Sequence, residues 1–155
     1  MKGNDKVIAS LNNLLADELT AINQYMVHSE MNANWHYSKL HKAIEGRAIT
    51  EMKHAEKLIA RILFLEGLPT VSNLKKINIG ADIEGQFKND MESELIAVKG
   101  YNDGIRLAHD LGDNGTREML TSILTAEEEH VDWLEAQLEQ VKQMGLASYL
   151  VEQVD

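Results

Sequence analysis

Apolar residues recur at steps of three and four through four long stretches of the chain, and each stretch carries a glutamate on its apolar stripe. From Asp5 to about Trp35 the stripe includes Val7, Leu11, Leu14, Leu15, Ile22, Tyr25 and Met26, and Glu18 falls on it. A second runs from about Ser38 to Glu66 through Leu40, Ile44, Glu51, His54, Leu58 and Leu65, with Gly67 and Pro69 to stop it. The third opens at Asp82, a good N-cap, and carries Ile83, Phe87, Met91, Glu94, Val98, Tyr101 and Ile105 as far as "LGDNG" near residue 111. The fourth, about Thr116 to Met144, presents Leu120, Ile123, Glu127, His130, Leu134, Leu138 and Val141 before Gly145 ends it. A short apolar segment, "LASYLVEQV", predicts a fifth helix near residues 146–153.

The breaks near residues 36 and 113 are short, which predicts two antiparallel helical hairpins. Residues 67–81, "GLPTVSNLKKINIGA", differ. Extended, they span roughly 50 Å against roughly 42 Å for such a helix, so the connection can run the length of a bundle and leave helices two and three parallel. The expected fold is therefore all-α, with the topology of a ferritin-like four-helix bundle: one long crossover and a short C-terminal helix, in one domain over residues 1–155. The halves also repeat. Glu94, Glu127 and His130 follow Glu18, Glu51 and His54 by 76 positions each, and the same offset pairs Tyr25 with Tyr101 and Leu58 with Leu134.

Composition agrees with helix. The 155 residues are 44% hydrophobic, with one proline and two phenylalanines. The absence of cysteine excludes disulfides, iron–sulfur clusters and thiolate zinc sites, so metal chemistry must use oxygen and nitrogen. The net charge of -10 disfavours nucleic acid and anionic membranes as partners and favours cations. "MKGNDKVIAS" lacks the apolar core of a signal peptide and no apolar run approaches a membrane span, which places the expected location in the cytoplasm.

The four glutamates would bring a charge of -4 into the interior, and no lysine or arginine on these stripes is expected to balance it. Two divalent cations would. Glu18 and Glu94, one from each of two helices, with Glu51/His54 and Glu127/His130 as Glu-x-x-His pairs on the others, match the established pattern of ferritin-like di-iron proteins. A lone Glu-x-x-His pair is ordinarily surface decoration, as neighbouring Glu56, Glu128 and Glu129 are expected to be, whereas six such positions on core stripes with one offset point to a dinuclear site. Imidazole with carboxylates suits iron or manganese and also accepts zinc. Tyr25 and Tyr101 could donate to bridging carboxylates and Asp90 could accept from a ligating histidine; ordinary packing or a solvated carboxylate is the alternative for these three.

"AINQY", "EMKHAEKLIARILFLEGLP", "EEEHVDWLEAQL" and "MGLASYL" extend the likeness beyond the ligand spacing, and over its whole length the chain resembles the bacterioferritins. The resemblance implies iron storage in a hollow homo-oligomer of twenty-four subunits, with Fe(II) oxidised by oxygen or hydrogen peroxide at a di-iron centre in each bundle. It places Glu18, Glu51, His54, Glu94, Glu127 and His130 on the ferroxidase ligands, with Glu51 and Glu127 as bridges. It also implies haem b shared between two subunits, a second bacterioferritin subunit and a small ferredoxin reductant as candidate partners, and a fifth helix that meets its copies about a fourfold axis.

Met52, one step from Glu51, should point about 100° away from the ligand face, beside Ala48, Ile49 and Ile59. Such an outward apolar patch wants a partner. A methionine there can fill a subunit interface; the resemblance instead implies an axial thioether ligand to haem. Three positions depart from the pattern of many bacterioferritins: Met26 replaces an aromatic residue, and Gly46 and Thr50 replace a cavity-facing histidine and aspartate, so an inner-surface iron site of that type is not expected. His130 then becomes a candidate gate for inward movement of iron. The rival function is a di-iron oxidase or oxygenase acting on an organic substrate, which needs an apolar pocket beside the metals; a haem electron carrier is a third.

Overall fold

The computed structural model describes residues 1–155 as five helices: α1 (Asp5–Asn34), α2 (Ser38–Phe64), α3 (Ile83–Asp110), α4 (Asn114–Met144) and α5 (Leu146–Val151). Each long helix starts or stops for a local reason. Asn4 accepts a bond from the Lys6 amide to cap α1, and Asp82 caps α3 through the Gly85 amide at 2.8 Å. α2 ends two residues earlier than its apolar stripe suggests, because Glu66 takes a left-handed conformation (φ 62°) and the Gly67 amide turns back to the Ile62 carbonyl at 2.8 Å. Gly145, at φ 80°, ends α4.

Bonds across the bundle give the helix directions. Glu18 meets Tyr101 while Tyr25 meets Glu94, so α1 and α3 are antiparallel. The short turn at residues 35–37 makes α1 and α2 antiparallel as well, which leaves α2 parallel to α3, the arrangement that the long crossover demands. On the other side of the bundle, Arg47 reaches the Ala126 carbonyl while Arg61 reaches Asp113 and Thr116, so α2 and α4 are also antiparallel.

The apolar core is in two parts. Leu11, Leu14, Leu58, Ile62, Leu120 and Ile123 belong to one cluster; Leu40, Ile44, Phe87, Leu134, Val141 and Tyr149 belong to the other. The six glutamates and histidines singled out by the repeat are all buried and lie between these clusters along their helices. α5 packs Tyr149 edge-on against Phe87 (centroids 6.2 Å apart), which attaches it to the second cluster. No helix is long and apolar enough to cross a membrane.

Candidate metal centre

The sequence repeat puts one glutamate in the middle of each long helix, and antiparallel packing brings the four to one level. Glu18, Glu51, Glu94 and Glu127 are each no more than 2% exposed, and His54 and His130 are buried beside them. Two overlapping groups of potential ligands result. Glu18, Glu51, His54 and Glu127 present ligand atoms within 4.8 Å of one another, and so do Glu51, Glu94 and His130. Glu51 belongs to both. His54 Nδ1 lies 2.8 Å from Glu127 Oε1, 3.2 Å from Glu51 Oε2 and 3.6 Å from Glu18 Oε1; His130 Nδ1 lies 2.8 Å from Glu94 Oε1.

The tyrosines bond crosswise. Tyr25 of α1 donates to Glu94 of α3, and Tyr101 of α3 donates to Glu18 of α1. These are the carboxylates outside the two Glu-x-x-His pairs, so the expected bonds to the bridging residues Glu51 and Glu127 are not formed. A phenol two turns along its own helix is carried past its helix's glutamate and reaches the one on the neighbour. Asp90 also departs from expectation: its Oδ1 accepts from Gln24 Nε2 at 2.8 Å and faces His28 Nδ1 at 2.9 Å, with neither ligand-set histidine involved. His130 is held by rings, stacked on Trp133 (22° between planes) and edge-on to Tyr25.

Arg47 overturns the expectation that no cation balances the four glutamates. Its Nε lies 2.6 Å from Glu51 Oε1, and its Nη2 lies 2.7 Å from Glu127 Oε2 and 3.6 Å from Glu94 Oε2. Nη1 donates to the Ala126 carbonyl at 3.2 Å. The signal was present: Arg47 fills the seven-residue step between Ile44 and Glu51 at spacings of three and four. A long cationic side chain on such a stripe is ordinarily read as one that turns outward to water.

Burial and mutual repulsion set the protonation of the cluster. Burial raises Glu18; burial, then the charge of Glu18, pushes Glu51 up to about 8. Burial and the bond with Glu94 push Glu127 up to about 9. Burial also works upward on Glu94, yet the bonds to Glu127 and His130 and the charges of His130 and Arg47 outweigh it and hold that carboxyl at about 2. Burial opposes the charged form of His54, but its carboxylate partners, Glu127 first, raise it to about 11. Near neutral pH the carboxylates are thus balanced by protons, an imidazolium and a guanidinium, the balance that two divalent cations would otherwise supply.

Three buried carboxylate oxygens, Glu51 Oε1, Glu94 Oε2 and Glu127 Oε1, lack a properly aligned hydrogen bond, although Arg47 Nε lies close to the first and His54 Nδ1 close to the last, both off-line. Orphaned acceptors on three of four convergent carboxylates, with two imidazoles beside them, fit a pair of hard or borderline divalent cations. A cavity of about 80 Å³ opens onto Glu18, Glu51, Glu94 and Glu127 from between α1, α3 and the crossover. Asp17, Lys75, Lys76, Asn78, Asn89 and Glu92 line the approach, so it is polar.

Met52 stands on the outside of α2 and is 42% exposed, in a shallow apolar depression with Ile22, Met26, Ala48 and Ile49. Gly46 has open space where a side chain would be, and the Thr50 hydroxyl bonds back to the Gly46 carbonyl at 3.1 Å; neither position offers an imidazole or carboxylate.

Residues 8–144 match the Ferritin family, described as a ferritin-like domain. The chain is 41% identical over 154 residues to the bacterial ferritin of Paramagnetospirillum magnetotacticum, covering 97% of this chain and 93% of that one. It is 37% identical over 149 residues to a bacterioferritin of Mycobacterium tuberculosis, covering 96% and 94%, and 36% identical over 149 residues to that of Brucella melitensis, covering 96% and 92%. With the four-helix bundle, its crossover and the buried repeat of glutamates and histidines, these matches identify the chain as a member of the bacterioferritins, within the ferritin-like family.

Proposed function

We propose that the chain stores iron in the cytoplasm, oxidising Fe(II) within each bundle and depositing ferric mineral inside a shell of about twenty-four copies. The observation that carries this reading is the convergence of four carboxylates and two imidazoles with three buried oxygens orphaned. Glu18, Glu51 and His54 hold one Fe(II), Glu94 and His130 the other, and Glu51 and Glu127 serve both. Each Fe(II) gives up one electron. Two electrons and two protons reduce oxygen to hydrogen peroxide, or hydrogen peroxide to two waters. Tyr25 and Tyr101 fix the orientation of Glu94 and Glu18, so the carboxylates need little rearrangement when charge accumulates on the iron. His130 moves to release ferric product, with Trp133 and Tyr25 as the surfaces its ring leaves.

The polar approach supports iron as the substrate. A cavity of about 80 Å³ lined mainly by charged and amide side chains has no apolar chamber for an organic substrate, which weighs against the oxidase or oxygenase alternative. Exposed apolar side chains, among them Leu63, Phe64, Leu68 and Val71, provide surface for subunit contacts. Met52 and its apolar surround fit haem b bound across a twofold between two subunits; the group would supply a conduit for electrons used in reductive release, with a small ferredoxin as donor. A second bacterioferritin subunit could share the shell.

Anaerobic Fe(II) titration should saturate near two ions per chain. In Glu51→Ala with Glu127→Ala, rapid Fe(II) oxidation should vanish while sedimentation still gives a large hollow particle. Unchanged initial oxidation in that double variant would remove the ferroxidase from this reading.

A further inference from the structure

The carboxylate oxygens divide between two cationic groups. His54 faces Glu18 Oε1, Glu51 Oε2 and Glu127 Oε1, and Arg47 faces Glu51 Oε1, Glu127 Oε2 and Glu94 Oε2. The second set comprises the far oxygens of both shared carboxylates and one oxygen of Glu94, whose other oxygen faces His130. An ion held by Glu94, His130 and the shared glutamates would draw on that set. We infer that Arg47 is an internal counter-ion seated at the second metal position, so that the two positions are unequal and the second fills only when the guanidinium is displaced. This rests on the metal-centre reading proposed above.

Three observations support the assignment. Arg47 is anchored independently of the carboxylates by its bond to the Ala126 carbonyl, and its side chain is only 11% exposed, so it occupies a built position and is not a surface chain folded over the cluster. It approaches from α2 and α4 and does not line the cavity between α1, α3 and the crossover, so it leaves the solvent approach to the carboxylates free. It also breaks the internal symmetry. The residue 76 positions on is Ile123, wholly buried in the apolar core, so one half of the repeat carries a cation where the other carries hydrocarbon. The guanidinium touches two of the three glutamates that an ion beside His130 would use and lies 3.6 Å from the third, Glu94, whereas of the first set it touches Glu51 and not Glu18 or His54, so the ion at Glu94 and His130 faces the larger share of a fixed positive charge.

The test uses Co(II), which takes nitrogen and oxygen ligands and is not oxidised during the measurement, titrated into the chelator-treated, assembled protein and followed by calorimetry and visible absorption. The unaltered chain should bind two ions in separate steps, the second weaker by about tenfold or more. Arg47→Gln removes the charge and keeps a polar side chain, so the second step should tighten and move toward the first. Arg47→Lys keeps a charge on a flexible stem and should keep much of the separation, which guards against a general loss of structure in the glutamine variant. Equal affinities in the unaltered protein, or a separation that survives Arg47→Gln, would overturn the role of Arg47 while leaving the metal centre intact. Co(II) binding that persists undiminished in Glu51→Ala would instead overturn the metal-centre reading, and this inference with it.

Discussion

A carboxylate taken out of water needs partners for its oxygens, and this cluster draws on three kinds, a phenol, an imidazole and a guanidinium, while three of its oxygens still lack an aligned bond. Tyr101 is the cleanest test of such a bond, because Tyr101→Phe removes one hydroxyl and leaves the ring in the core. The variant should lose about 1–3 kcal/mol of stability in the chelator-treated protein, measured by denaturant unfolding, with less loss once divalent metal holds Glu18. Protonation gives a second test. Glu51 and Glu127 keep protons in the folded chain up to about 8 and 9, and His54 up to about 11, all above their unfolded values. The folded state therefore binds more protons than the unfolded state through neutral and alkaline pH, and its stability falls as pH rises across that window. Glu94, held near 2, acts oppositely and only in acid. Calorimetry of chelator-treated protein should show the melting temperature dropping between about pH 5 and 9, and a saturating divalent cation should flatten the slope by replacing the protons. At this scale the sequence is informative about the ligands, since a glutamate on an apolar stripe has nowhere to go but inward. It is poor on their partners. Arg47 looks like any helical arginine until α4 is set beside it, and the crosswise tyrosine bonds depend on how α1 and α3 are staggered.

The crossover is extended, so its amides need acceptors, and α1 supplies them from one side. Asn12, Thr20, Gln24 and His28, spaced eight, four and four residues apart, accept from the amides of Thr70, Lys75, Asn78 and Gly80 at 2.8–3.1 Å. Gln24 and His28 also hold Asp90 of α3, so the same side chains fasten the strap and the third helix. The Gly80 amide bond fixes the His28 tautomer: Nε2 accepts, so Nδ1 carries the proton and donates to Asp90. Gln24→Leu should expose the Asn78 amide to faster hydrogen exchange and cost about 1–3 kcal/mol, as it strands an amide and half of the support of Asp90. Gly80→Ala should be worse, since an added Cβ would fall 2.2 Å from the Gln86 backbone nitrogen and force the start of α3 to shift; a lowered melting temperature measures it. Apolar periodicity and turn residues make the long helices legible within about two residues at their ends. The polar ladder was not legible, because its residues sit at helical spacing among core positions and look like interruptions of the stripe. His28, wholly buried, is the clearest case: nothing in its neighbourhood announces a histidine that bonds an incoming amide.

Over the whole bundle, the polar layer separates two apolar clusters, and the outward face of α2 adds a third apolar surface at Met52. If Met52 holds haem as proposed, Met52→Leu, which conserves volume and removes the thioether, should leave assembly unchanged and abolish a six-coordinate haem spectrum. A retained spectrum would put the axial ligand elsewhere. The crosswise tyrosines have a consequence for the order in which the protein comes into being. Synthesis delivers α1 and α2 before α3 and α4, and the first hairpin alone holds Glu18, Glu51 and His54 but not the phenol that orients Glu18, nor any ligand from the second half. The second hairpin is equally incomplete, with Glu94 awaiting Tyr25. A growing or broken chain thus lacks part of the ligand set and its supports, and the centre proposed above is complete only as the two hairpins close on each other: the fold withholds that site from any molecule that has not finished folding.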